Sequence, residues 1–197
     1  MSDEMSNDGK LVSRIRKGDL DAFETLYHKY KDQLYRTALA ITSDRCAAEE
    51  ILQDCFLRAY DNMNRVNGCS SLRPWLHRIV VNLSYNWAAK RRLRLISLED
   101  VFGSLLATPL SSPDRTFERR ELLTVVYEAI NSLSMPQRVV IVLFYLQGFS
   151  LAEIAYVMDC PVGTVKSRLH NARKNLRERL EADSRISVEA AYEFLSS

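Results

Sequence analysis

Apolar residues along this chain recur at three- and four-residue spacing, and no stretch shows the strict alternation of a half-buried strand. The pattern predicts an all-α fold. Phe23, Leu26, Tyr27, Tyr30, Leu34, Ala38 and Ile41 form one stripe, and Ile51, Leu52, Cys55, Phe56 and Ala59 form the next after a break at 42–45. Residues 62–71, with Asn67-Gly68, read as a loop. A third helix is expected over about 72–94, carrying Leu72, Trp75, Leu76, Ile79, Val80, Leu83 and Trp87 on one face, with Pro74 tolerable in its first turn. Trp75 and Trp87 belong to the core on this reading, because both fall on the apolar stripe. Three such helices make one small core.

The periodicity then fails over 97–115, where Gly103, Pro109, Ser111, Ser112 and Pro113 have the composition of an irregular, flexible tether. The expected division is a first helical domain over 1–95, a linker over 96–117, a second helical domain over 118–181 and a tail over 182–197. Helical pattern resumes near Thr116 and runs to about Leu133, where Ser134-Met135-Pro136 marks a stop and a fresh start. The tail carries Val188, Ala191, Tyr192 and Leu195 at helical spacing and receives no function.

Ser150-Leu151-Ala152-Glu153 has the form of a capping box, so a helix is expected to begin at Leu151 and to end by Asp159. Pro161 restarts the chain after a very short turn, which leaves two helices too closely joined to lie antiparallel: a helix-turn-helix. In the second of these helices Val162, Val165, Leu169, Ala172 and Leu176 share one side. Gly163, Thr164, Ser167, His170, Asn171 and Lys174 share the other, with Lys166, Arg168 and Arg173 at the flanks. Small residues at the tip let a backbone approach, and Lys, Asn, Ser and Thr can donate to base edges and phosphates in a DNA major groove. A merely solvated face would mix in acids, whereas the first acid after Asp159 is Glu178. His170 reads equally as a plain surface histidine.

Charge changes the picture through its distribution. The formal net charge is only +2, which alone would point to no nucleic acid. From 62 to 98, however, there are seven Lys or Arg and no acid, and from 161 to 177 five and again no acid. Two basic blocks in a chain otherwise rich in acids are the footprint of two separate contacts with phosphate. The four cysteines (Cys46, Cys55, Cys69, Cys160) are scattered without a CxxC pair, which argues for reduced packing residues and against a zinc site; a redox role for Cys69, in a loop, stays open. The longest apolar run, 139–146, is too short to insert in a membrane, and no charged-then-apolar leader opens the chain, so a cytoplasmic protein without cofactor or metal is expected.

The motifs also resemble a family. Leu133-Ser134-Met135-Pro136-Gln137-Arg138, then Gly148-Phe149-Ser150-Leu151-Ala152-Glu153-Ile154-Ala155, then Pro161-Val162-Gly163-Thr164-Val165-Lys166-Ser167-Arg168-Leu169 resemble region four of extracytoplasmic-function (ECF) sigma factors. Gly18-Asp19-Leu20-Asp21-Ala22-Phe23, the run from Ala48 to Tyr60 around Gln53-Asp54, Trp75-Leu76-His77-Arg78-Ile79-Val80-Val81-Asn82 and Arg91-Arg92 resemble region two, so that the likeness covers about 11–180. It implies a dissociable subunit of bacterial RNA polymerase that directs the enzyme to promoters and helps to open the duplex.

By motif position the resemblance gives Thr164, Lys166, Ser167, His170 and Asn171 the reading of the upstream (minus thirty-five) duplex element, places Arg168 and Arg173 on phosphates and includes Lys174 in that face. Family members vary at the positions of His170 and Asn171, which leaves base preference open. Region two implies capture of the unpaired minus-ten strand. Arg78, Asn82, Tyr85 and Ala89 share a helix face turned from the core, beside the 62–71 loop that in the family forms much of the base pocket. Asn82 takes the base edge, and Lys90, Arg91, Arg92 and Arg94 the backbone. Each base captured by stacking returns ~1–3 kcal/mol against a few kcal/mol of unstacking. Gln53 and Asp54 are placed on the β′ clamp helices of core RNA polymerase, whose β flap is a further implied contact, and an anti-sigma factor is an implied partner.

An enzyme is the first rival class. It lacks a Gly-rich phosphate loop, a nucleophile with a base, or a ligand cluster among His28, His77 and His170. A helix-turn-helix repressor or activator with its own sensor domain is the nearer rival, but it has no need of the second acid-free basic block.

Overall fold

A computed structural model of the chain describes residues 2–66, 71–98 and 117–183, with side chains over 7–66, 71–91 and 125–183. Among the described residues every regular element is helical. The N-terminal half holds α1 (Ser2–Ile15), α2 (Leu20–Thr42), α3 (Arg45–Asn62) and α4 (Arg73–Leu98), and a single 3-10 turn, Met63–Arg65, follows α3. Asp19 caps α2, its carboxylate accepting from the Ala22 amide at 3.1 Å. That amide and the Arg14 guanidinium, 2.8 Å away, hold the Asp19 carboxyl below its usual range. At the other end Ser43 closes α2 in the left-handed region, φ 55°, and Asp44 at once caps α3 by accepting from Ala47 N. So short a turn folds α3 back along α2: Phe23 meets Tyr60, with ring centroids 5.1 Å apart, and Tyr27 meets Phe56 at 4.8 Å.

Leu26, Leu34, Ala38, Ile51, Cys55, Ala59, Leu72, Leu76 and Val80 fill this core, and Trp75 and Trp87 lie partly buried against it, as the apolar stripes predict. Burial pushes the Cys55 thiol up to about 12, which makes it an inert packing residue. Cys46 is exposed, Cys160 half-buried, and Cys69 lies outside the described residues. One element was not foreseen. Leu11, Val12 and Ile15 of α1 are buried in the same core, but two turns of apolar spacing are too brief a signal to distinguish a helix from a loop.

The C-terminal half holds α5 (Phe117–Ser132), α6 (Met135–Ile141), a π-turn over Val142–Leu146, α7 (Leu151–Met158) and α8 (Val162–Glu181). In the π-turn Gln147 N reaches back five residues to Val142 O at 3.1 Å. Gly148 then takes φ +65°, a conformation that favours glycine, and turns Phe149 inward, where it is fully buried. The capping box is formed in both directions: Glu153 N donates to Ser150 Oγ at 3.3 Å, and Ser150 N donates to the Glu153 carboxylate at 2.8 Å. Val165, Leu169, Ala172 and Leu176 of α8 are buried against α5, α6 and α7. Val162, which the pattern places with them, is 40% exposed. Helix side chains lean toward the N-terminus, so in the first turn Val162 overhangs the end of the packing surface.

The two halves also touch. Ile41 of α2 and Val81 of α4 are buried in the cluster formed by α5–α8. Residues 99–116, the greater part of the expected linker, and the tail from 184 onward lie outside the described residues. Ser150→Ala removes the acceptor for the Glu153 amide and is expected to cost about 1 kcal/mol, read as a lower midpoint of thermal unfolding with the helix content at low temperature unchanged.

Candidate nucleic-acid interfaces

The geometry of α8 follows from its two-sided sequence. With Val165, Leu169, Ala172 and Leu176 turned inward, the opposite side presents Lys166, Ser167, His170, Asn171 and Lys174 exposed and Thr164 half-buried. Gly163 at the tip is exposed, and a Cβ built there meets nothing within 4 Å. Packing within the chain therefore does not demand a glycine at that point, whereas close approach by another molecule would. The flanking cations are held in place. Arg173 Nε donates to Tyr145 Oη at 2.8 Å and its guanidinium lies 5.3 Å from the Phe144 ring centroid, while Arg168 reaches Cys160 Sγ at 3.6 Å. Lys174 stands 3.8 Å from Glu178, a loose and exposed pair of little energetic weight. The Ser167 hydroxyl donates to Thr164 O at 3.0 Å, which leaves its lone pairs facing outward.

The second basic face lies on α4. Asn82, Ala89, Lys90 and Arg91 are exposed, with the Arg91 guanidinium 5.2 Å from the Trp87 ring centroid. Arg92 and Arg94 lie in α4, but their side chains are outside the described residues. On α3, Gln53 is exposed and Asp54 half-buried, opposite the buried Ile51, Cys55 and Phe56.

Known proteins share both halves in this order. The sigma-70 region 2 family model matches residues 26–94, and the sigma-70 region 4 model matches residues 123–176. The RNA polymerase sigma-H factor of Pseudomonas aeruginosa is 32% identical over 181 residues, covering 88% of this chain and 94% of that protein. The ECF RNA polymerase sigma factor SigW of Bacillus subtilis is 33% identical over 178 residues, covering 87% and 95%. The chain belongs to the ECF sigma factors. Among solved structures, the sigma factor RpoE of Bartonella quintana in complex with the anti-sigma factor NepR superposes with a TM-score of 0.67 at 28% identity, over 82% of this chain and 98% of that one. An ECF sigma factor is a transcription initiation factor.

In this sigma factor the two halves meet along the very face of α4 that carries Arg78 and Tyr85. Arg78 donates to Tyr156 O at 3.0 Å, pairs with Asp159 at 3.1 Å and stacks over the Tyr156 ring. Tyr85 packs against the apolar cluster of α5–α8, and burial raises its hydroxyl pKa against the opposing pull of the Arg168 guanidinium. Three of the residues proposed for DNA, Arg78, Tyr85 and Arg168, thus lie at the contact between regions two and four. Asn82 and the outward residues of α8 do not.

The rest of the contact comes from residues to which the motifs assign no separate role, although His77, Arg138 and Phe149 lie within them. The Arg73 guanidinium donates to Gln147 O and lies 4.3 Å from the Phe149 ring centroid. His77, fully buried, sets its ring edge-on to Phe149 at 4.9 Å and donates from Nδ1 to Arg73 O at 2.8 Å. Arg138 donates to Ile41 O at 2.9 Å. In the sequence His77, Arg138 and Phe149 appear only as members of contiguous family motifs, and Arg73, His77 and Val81 repeat every four residues beside the core stripe, a spacing that any solvated helix flank can show.

Burial pulls the His77 pKa down to about 4 from an ordinary 6.5. A separated, solvated His77 binds a proton more readily, so protons favour separation. The contact is fully present above about pH 6.5 and weakens as pH falls from there toward 4, by up to about 3 kcal/mol. With fluorophores on the two halves, energy transfer should fall between pH 7.5 and about 5 in the parent protein and stay nearly flat in His77→Gln; equal profiles for the two would refute the linkage.

Proposed function

We propose that this ECF sigma factor binds core RNA polymerase and places two DNA-binding faces on a promoter in the cytoplasm. On this reading the first domain spans about 1–95 and the second about 118–181. Gln53 and Asp54 on the exposed side of α3 meet the β′ clamp helices, and the second domain meets the β flap. Thr164, Lys166, Ser167, His170 and Asn171 read the upstream element as duplex, while Arg168, Arg173 and Lys174 hold its phosphates. Asn82 takes the edge of an unpaired base at the downstream element, aided by Arg78 and Tyr85, and Lys90, Arg91, Arg92 and Arg94 follow the backbone.

The observation that carries this reading is the pair of acid-free basic faces, one on α4 and one on α8, each on its own small helical unit. A lone helix-turn-helix buries little surface and usually needs a partner for useful affinity; a second tethered DNA contact raises it through effective concentration. Opening needs no catalytic group, only a surface that holds an extruded base better than the stack does.

Arg78 and Tyr85 can engage DNA only when α7 leaves α4, so the contact between the halves describes a state in which the minus-ten face is partly covered. An anti-sigma factor that bridges both regions would favour such a state, and the likeness to a sigma factor solved with its anti-sigma factor supports that partner.

In a gel shift with DNA from a promoter this factor serves, specific binding is expected only when core polymerase is present. Tight, specific binding by the protein alone would favour a self-sufficient repressor or activator. Lys166→Ala should weaken upstream recognition and, if Lys166 also contacts a phosphate, lower the salt slope by about one; an unchanged slope and affinity would remove Lys166 from the interface. Asn82→Ala should spare polymerase binding yet reduce permanganate reactivity of unpaired thymines, and normal reactivity would refute the assignment of that residue.

A further inference from the structure

The Asp8 carboxylate of α1 is 1% exposed. A buried carboxylate persists only when donors surround it, and Asp8 has three from distant parts of the chain. Lys29 Nζ lies 2.9 Å away, Tyr30 Oη donates at 2.5 Å, and Leu72 N donates at 2.8 Å. The first two come from α2. The third stands at the head of α4, where Leu72 O accepts the first helical bond from Leu76 N.

Two turns further along, just past the end of α1, Arg16 makes the complementary contact. Its Nε donates to Met63 O at 3.2 Å and its terminal nitrogen donates to Val66 O, so one guanidinium caps the turn that closes α3. A cation thus sits at the C-terminal end of α3 and an anion at the N-terminal end of α4, the arrangement that helix dipoles favour at each end. The two groups are eight residues apart, about 12 Å along a helix of this pitch.

We propose that Asp8 and Arg16 are positioning residues for strand capture. The first segment of the chain acts as a strut that fixes the distance and rotation between the exit of α3 and the head of α4. Asn82 stands on the same rigid helix, nearly three turns beyond Leu72, so the strut sets where Asn82 points relative to the α3 exit. Neither Asp8 nor Arg16 touches DNA in this scheme. The inference rests on the reading of α4 as the strand-capturing helix and extends it to a part of the chain outside both basic blocks.

The test uses holoenzyme assembled from full-length protein and core polymerase, and a pool of short single-stranded DNA randomised across its centre, with bound strands recovered and sequenced. The parent protein should enrich a base preference. Arg16→Ala and Asp8→Asn should each reduce that enrichment about tenfold, the scale of one charge-assisted hydrogen bond lost, while overall affinity for the pool and its salt dependence stay unchanged. Arg16→Lys, which keeps the charge near both carbonyls, should restore part of the preference. Leu26→Ala weakens the same core while leaving Asp8, Arg16 and all their polar partners in place, and should keep the preference. If Leu26→Ala loses enrichment in the same proportion to its loss of thermal stability as Arg16→Ala, the strut is structural only and the proposal fails. Undiminished enrichment in both Arg16→Ala and Asp8→Asn would overturn it as well. A parent protein that enriches nothing would instead refute the strand-capture reading itself, and the two failures are thereby distinguished.

Discussion

Phe149 is the residue on which the arrangement of this molecule turns. It is buried because the π-turn and Gly148 swing it inward, and its ring then faces the flank of α4 from another domain. Arg73 covers the ring, His77 meets it edge-on, and Val81 and Ile41 continue the apolar seam. An aromatic ring between a guanidinium and an imidazole satisfies an apolar body and two polar groups at once. Around that seam the contacts are mostly single hydrogen bonds to main-chain oxygens: Arg78 to Tyr156, Arg138 to Ile41, Arg73 to Gln147. Such a seam is specific in geometry and joins a small apolar centre to polar groups that water could also satisfy, which suits a contact that parts in the proposed working state.

The same cations therefore have two possible sets of partners. Arg78 pairs with Asp159 at the end of α7, and Arg168 lies near Tyr85. In the proposed working state those groups face phosphate or base instead. The acid-free blocks of the sequence thus describe capacity for an anion, and the closed contact occupies part of it with one carboxylate, carbonyl oxygens and aromatic faces. Asn82, His170, Asn171 and Lys166 stay outside the contact, so the exposed part of each basic face is the part to which the proposed function assigns base identity.

Much of the fold was legible beforehand. The stripes on α2, α3 and α4, the break over 42–45, the capping box at Ser150 and the restart at Pro161 all rest on interactions within a few residues, and local chemistry decides them. The sigma-factor resemblance was legible for a similar reason: its motifs are contiguous. What escaped was α1, whose short apolar face carries little periodicity, and the group of Arg73, His77, Gln147 and Phe149. Those residues look ordinary in sequence because their partners lie about seventy positions away.

By itself, then, the sequence determined that the described residues are helical, where α6, α7 and α8 begin, that basic charge gathers on two of the helices, and which face of α8 is turned outward. Period, capping and charge are properties of neighbours along the chain, and they survive without knowledge of the fold. Only the tertiary structure decided that Asp8 and Arg16 bracket the passage from α3 to α4, that His77 is buried against another domain, and that Arg78 and Tyr85 are partly covered. Burial and pairing over such distances depend on which surfaces the folded helices bring together, and no local pattern encodes that choice.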